Sequence, residues 1–187
     1  MSTPEPLHLA LHLNNQLCFA LYAATNAITR AYRAPLAKLG LTYPQYLVLL
    51  VLWEPDRNAH TVKGLANALQ LDSSTLTPLL KRLETAGFVT RERQADDERV
   101  VQISLTAAGR ALRTPVAAVQ QDVACRTRLS DAEFFDFRDR LHELVNTLAQ
   151  PGNISDGSDG SDGSDCSVIA DAARNFPLHH PGHVVNS

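Results

Sequence analysis

At 187 residues the chain has room for one folded unit with an appendage and is short for two full domains. Its 17 basic against 20 acidic side chains give a net charge of -3, which excludes a uniformly basic nucleic-acid binder; any DNA contact must rest on local placement of cations. Residues 151–187 carry five aspartates against Arg174 alone, so residues 1–150 hold 16 cations against 15 acidic groups. Cys18, Cys125 and Cys166 stand far apart with no CxxC pair, and no secretory leader is expected before them. We therefore expect a reducing cytoplasm and no structural disulfide. The longest apolar run, 46–53, is too short for the roughly 20 residues of a membrane span, so no membrane partner is expected.

In chain order, apolar residues at helical spacing predict a first helix over about 16–39, stopped by Gly40. A second begins near Thr42, a capping residue, with Pro44 tolerated in its first turn, and runs through Trp53. Thr61 caps a short third helix, 62–69, weakened by Gly64, and Asp72 caps a fourth, 73–86, ended by Gly87. The tight turn between them makes a helix-turn-helix. The period then changes to two: 88–93 and 100–105 read as strands around a polar loop, a hairpin placed as a wing. Thr106 caps a long helix to about Arg128 with a kink at Pro115, and Ser130 caps a last helix carrying Phe134, Phe137, Leu141, Leu144, Val145 and Leu148. The fold class is thus mostly α with a small β-hairpin wing, a winged helix-turn-helix of order α-α-α-α-β-β-α-α. The DNA-binding core spans about 42–105 within a 1–150 domain, and the Ser-Asp-Gly repeats of 151–187 read as a disordered tail.

On a wheel of about 100° per residue, Leu76, Leu79, Leu80 and Leu83 of the fourth helix gather into one stripe, while Ser74, Thr77, Pro78, Lys81 and Arg82 take another face. Such a face suits a major groove, with Ser73, Ser74, Thr75 and Thr77 as further candidate contacts; an ordinary solvated face is the alternative. Pro78 predicts a local kink, because its ring opposes the Ser74 carbonyl. Arg91, Arg93 and Arg99 surround the hairpin, and an arginine at a wing tip fits a narrow, electronegative minor groove. Asp97 can hold Arg99 in place, or make only a surface ion pair.

The text from Leu69 to Glu84, then Gly87-Phe88-Val89, Asp97-Glu98-Arg99 and Leu105-Thr106-Ala107-Ala108-Gly109, resembles the MarR family of winged-helix regulators over about residues 10–150. Gln16-Leu17-Cys18-Phe19-Ala20-Leu21-Tyr22 and the stretch from Gly40 to Leu49 look like its organic hydroperoxide resistance regulators. The resemblance implies an intertwined homodimer, built by the first and last two helices, that grips a pseudo-palindromic operator. It also implies a peroxidatic Cys18 hydrogen-bonded by Tyr32 and Tyr43 of the other subunit.

The physics of Cys18 fits such a role. With Asn15 as cap, Cys18 would be third in its helix, where unpaired amides and the positive dipole end favour a thiolate over a thiol. An inert, buried helix residue is the alternative. Cys125 is a candidate resolving thiol for Cys18 of the other subunit, or else a buried interface cysteine. Cys166 is assigned no role, and His179, His180 and His183, like His8 and His12, are not read as a metal site. The expectation is a DNA-binding repressor, not an enzyme, needing no cofactor or metal and releasing its operator when an organic hydroperoxide oxidises Cys18. Rival readings are a repressor released by a small phenolic or carboxylate ligand, a thiol peroxidase and a pure interaction module.

Overall fold

The structure, a computed structural model, describes residues 11–55, 60–93 and 100–149. His8, Asp97, Arg99, Cys166, His179, His180, His183 and the tail expected from 151 onward lie outside the described residues. After a single 3-10 turn, Leu13–Asn15, come α1 (Leu17–Ala37), α2 (Tyr43–Leu52), α3 (Val62–Leu69), α4 (Ser73–Thr85), β1 (Val89–Arg93), β2 (Val101–Leu105), α5 (Ala107–Ala111), α6 (Arg113–Arg126) and α7 (Asp131–Ala149).

The helix starts follow local chemistry. At α2 the Thr42 amide and hydroxyl both donate to Gln45 Oε1, at 2.8 and 2.9 Å, so a glutamine three residues in secures the first turn. Thr61 Oγ1 accepts from the Gly64 amide at 3.0 Å, and Thr106 Oγ1 does the same for Gly109. Asp72 stands at the N-cap of α4, but its side chain makes no capping bond; the first turn is closed by its backbone carbonyl instead.

Three helix ends share one closure. Leu41 and Gly40 donate to Leu36 and Ala37, Leu71 and Gln70 to Ala66 and Asn67, and Phe88 and Gly87 to Leu83 and Glu84. Each needs a left-handed residue: Gly40 at φ 73° and Gly87 at φ 75° adopt it freely, while Gln70 at φ 52° does so without glycine's freedom.

The long helix expected after Thr106 is two helices. Pro115 lacks an amide to donate and its ring opposes the carbonyl four residues back, at Ala111. The helix therefore breaks at Leu112 and restarts with Val116 donating to the Leu112 carbonyl. Gly109 in α5 is obligatory for packing, since a Cβ there would collide with the Phe88 carbonyl oxygen. Trp53 Nε1 donates to the Gly109 carbonyl at 3.1 Å and ties the end of α2 to the same point.

Two compact units emerge among the described residues. The larger, 26–136, holds the core: Leu36, Leu49, Leu65, Leu76, Leu80 and Ile103 are completely enclosed. Its strands pair antiparallel with Val89 opposite Leu105 and Arg93 opposite Val101, and Thr61 bridges to Gln102, fastening α3 to the hairpin. The other unit contains 11–25 and 137–149. Its stretch of α7 has no buried residue, and Leu17, Tyr22, Phe137, Val145 and Leu148 are exposed.

Candidate nucleic-acid interface and thiol site

Leu76, Leu80 and Leu83 turn α4 into the core, as its apolar period requires, and Leu79 is half-buried beside them. The opposite face carries Ser73, Ser74, Thr75, Thr77, Lys81 and Arg82, all exposed. The helix runs unbroken through Pro78. Immediately before it, Thr77 donates its hydroxyl hydrogen to the Ser73 carbonyl at 2.8 Å, so this hydroxyl can meet a partner as an acceptor only.

The hairpin arginines separate by position. Arg93, opposite Val101 at the far end of the ladder, is exposed. Arg91 lies back against α4: its guanidinium is 3.9 Å from the Glu84 carboxylate, its side chain is only 28% exposed, and its Nε is buried without a hydrogen-bond partner. Asp97 and Arg99 belong to the segment outside the described residues. Sequence reasoning grouped the arginines by charge; Glu84, in the last turn of α4, was the residue it missed.

Cys18 is exposed and second in α1. The cap is Gln16, whose carbonyl accepts from Ala20 at 3.1 Å, and not Asn15, which ends the preceding 3-10 turn. This moves Cys18 one place nearer the helix start and keeps it among the amides that lack an intrahelical acceptor. Cys125 is exposed in the last turn of α6.

Tyr32 of α1 and Tyr43 of α2 are brought together, ring centroids 5.3 Å apart. Tyr46, which the sequence reading did not single out, completes a trio: it stacks on Tyr32 at 5.3 Å and 23°, and lies 5.8 Å from Tyr43. Its place one helical turn after Tyr43 was the available signal. Burial pushes all three phenols above their ordinary acidity range, Tyr46 furthest, and a hydrogen bond from Tyr46 partly offsets the shift at Tyr32. Beside the trio lies an open groove of about 600 Å³, lined by Asn26, Arg30, Arg33, Leu41 and Tyr43 among others. Among the described residues no cluster of His, Cys, Asp or Glu could hold a metal, and no helix is long and apolar enough to cross a membrane.

A helix-turn-helix followed at once by a two-stranded wing, set between further helices at both ends, defines a winged-helix regulator; the chain belongs to the MarR family of winged-helix transcriptional regulators. It is 43% identical over 140 residues to the organic hydroperoxide resistance transcriptional regulator of Bacillus subtilis, covering 75% of this chain and 94% of that one. It is 47% identical over 146 residues to the HTH-type transcriptional regulator TtmR of Methylorubrum extorquens, covering 74% of each. The family model described as transcriptional regulator SarA/Rot matches residues 30–114. Among solved structures, reduced AbfR bound to DNA, a protein also solved from Staphylococcus epidermidis, aligns with a TM-score of 0.60 at 38% identity, over 74% of this chain and 95% of that one. AbfR is also known overoxidised on DNA and in a disulfide form, with TM-scores of 0.59 and 0.51. These relatives are regulators, which sets the thiol peroxidase reading aside.

Proposed function

We propose that the chain is a cytoplasmic, homodimeric repressor that holds a pseudo-palindromic operator while Cys18 is reduced and releases it once an organic hydroperoxide has oxidised that thiol. The observation that carries the reading is an exposed Cys18 in the first turn of α1, in a chain 43% identical to a regulator named for organic hydroperoxide resistance. AbfR, solved reduced and overoxidised on DNA and separately in a disulfide form, supports redox sensing, with disulfide formation as the state that parts from the operator.

On this reading α4 enters the major groove. Ser73, Ser74, Thr75 and Thr77 approach base edges, Lys81 and Arg82 reach phosphate or guanine, and the wing follows the minor groove with Arg93 and Arg99, Asp97 holding Arg99 in place. Arg91 supports the wing from its root. The Cys18 thiolate, held by the Tyr32 and Tyr43 hydroxyls of the other subunit, attacks the terminal oxygen of the hydroperoxide. An S–O bond forms, the O–O bond breaks, and the alkoxide leaves and takes a proton to become the alcohol. Sulfur is oxidised to the sulfenic acid and the peroxide reduced. Cys125 of the other subunit then displaces water to close a disulfide, or a small thiol does so in its place.

Fluorescence anisotropy on DNA from upstream of the gene tests this. The wild-type protein should dissociate on near-stoichiometric cumene hydroperoxide and rebind after dithiothreitol, whereas Cys18→Ser should bind and stay bound. Release of Cys18→Ser by oxidant overturns the assignment. The open groove lined by Arg30 and Arg33 favours a second reading, release by a small phenolic or carboxylate ligand; wild-type protein indifferent to peroxide but released by such a ligand would select it.

A further inference from the structure

We infer that Tyr46 is a positioning residue of the thiol site: stacked on Tyr32 inside the core, it donates its hydroxyl hydrogen to the Tyr32 oxygen and so leaves the Tyr32 hydrogen for the sulfur of Cys18 across the dimer. The inference rests on the reading above, in which Tyr32 binds that sulfur.

A phenol has one hydrogen to give and lone pairs to receive with. If Tyr32 gave its hydrogen to Tyr46, it would have none for a thiolate; if Tyr46 gives, Tyr32 can receive and donate together, and the first bond polarises the second. The geometry favours that order. Tyr46 is the less exposed residue, 3% against 8% for Tyr32, which fits a bond given from the interior outward. The 23° stack at 5.3 Å keeps the two rings nearly parallel and in contact. The direction of the acidity shifts agrees: the contact with Tyr46 stabilises ionised Tyr32, whereas the contact with Tyr32 disfavours ionised Tyr46. Tyr32 is thus the more acidic of the pair and the better donor to an anion. The electrostatic shifts within the trio come from its own members, with no carboxylate or cation among their causes. Tyr43, at the first position of α2 and lining the groove, acts beside this pair.

The test uses the full-length dimer with Cys125→Ser and Cys166→Ser, so that Cys18 alone reports, and follows its alkylation by iodoacetamide against pH. Tyr46→Phe keeps the ring and removes only the hydroxyl. The expected result is a reactivity profile moved up by about half a pH unit, hence about threefold slower reaction at neutral pH, with an unchanged thermal melt. Tyr32→Phe should move it further, and adding Tyr46→Phe to Tyr32→Phe should change nothing more. A Tyr46→Phe profile superimposable on the parent, with Tyr32→Phe shifted, overturns the role of Tyr46 alone. Additive shifts in the double variant overturn the relay through Tyr32. An unmoved Tyr32→Phe profile overturns the underlying thiol-site reading instead.

Discussion

Tyr32, Tyr43 and Tyr46 carry three phenols on the inner side of α1 and α2, where ionisation would place an anion among apolar side chains. Desolvation raises all three above the ordinary value of 10.0, with Tyr46 additionally opposed by its neighbours. A folded-state value above the unfolded one stabilises the fold fully below pH 10.0 and ceases to do so as pH climbs through the raised values. Stability measured by chemical denaturation should therefore decline above pH 10.0. In a spectrophotometric titration, most of the phenolate signal of the chain's four tyrosines should lag in native protein behind the denatured chain. Coincident titration curves in the two states would refute the trio's burial. Tyr32 and Tyr43 were legible only through resemblance, since nothing in their local text marks a phenol as a hydrogen-bond donor. Tyr46 was hidden because an apolar run conceals a functional ring among core rings.

At the scale of elements, the turn of the helix-turn-helix places a glutamine where glycine would be relaxed: Gln70 at φ 52° closes α3 and aims α4. A side chain in the left-handed region costs roughly 1–2 kcal/mol, and glycine's greater unfolded-state freedom offsets part of that. Gln70→Gly should thus stabilise the protein by about 0.5–1 kcal/mol, read as a higher urea midpoint at unchanged slope. A lower midpoint would mean that the Gln70 side chain makes a stabilising contact which outweighs its strain. Helix starts were readable because Thr42, Thr61, Thr106 and Ser130 are capping residues ahead of apolar periods, and Ser130 with Glu133 completes a reciprocal cap. The α5–α6 break was not, because the effect of Pro115 falls four residues upstream. Likewise, charge alone brought Arg91 and Arg93 together, while the hairpin leaves one beside Glu84 and the other at its far end.

At the scale of the whole molecule, the helices at the two ends carry apolar side chains that stay exposed among the described residues, Leu17, Tyr22, Phe137, Val145 and Leu148 among them. Phe137, Leu141, Leu144, Val145 and Leu148 recur at helical spacing, yet Phe137 is 52% and Leu148 77% exposed. Covering a large apolar side chain is worth about 1.5–3 kcal/mol, so a contiguous stripe left open favours association strongly. A second copy is the occupant that the proposed function requires, since a pseudo-palindrome is gripped by two α4 helices at a fixed separation. Phe137→Glu with Leu148→Glu should convert the dimer seen by analytical ultracentrifugation to monomer. Circular dichroism of the winged-helix core, whose buried leucines lie in 26–136, should stay largely intact. Operator affinity should fall at least a hundredfold, because each half-site would be bound alone. A charged variant that still sediments as a dimer and still binds its operator would move the interface elsewhere on the chain, and with it the route by which oxidation of Cys18 reaches the DNA.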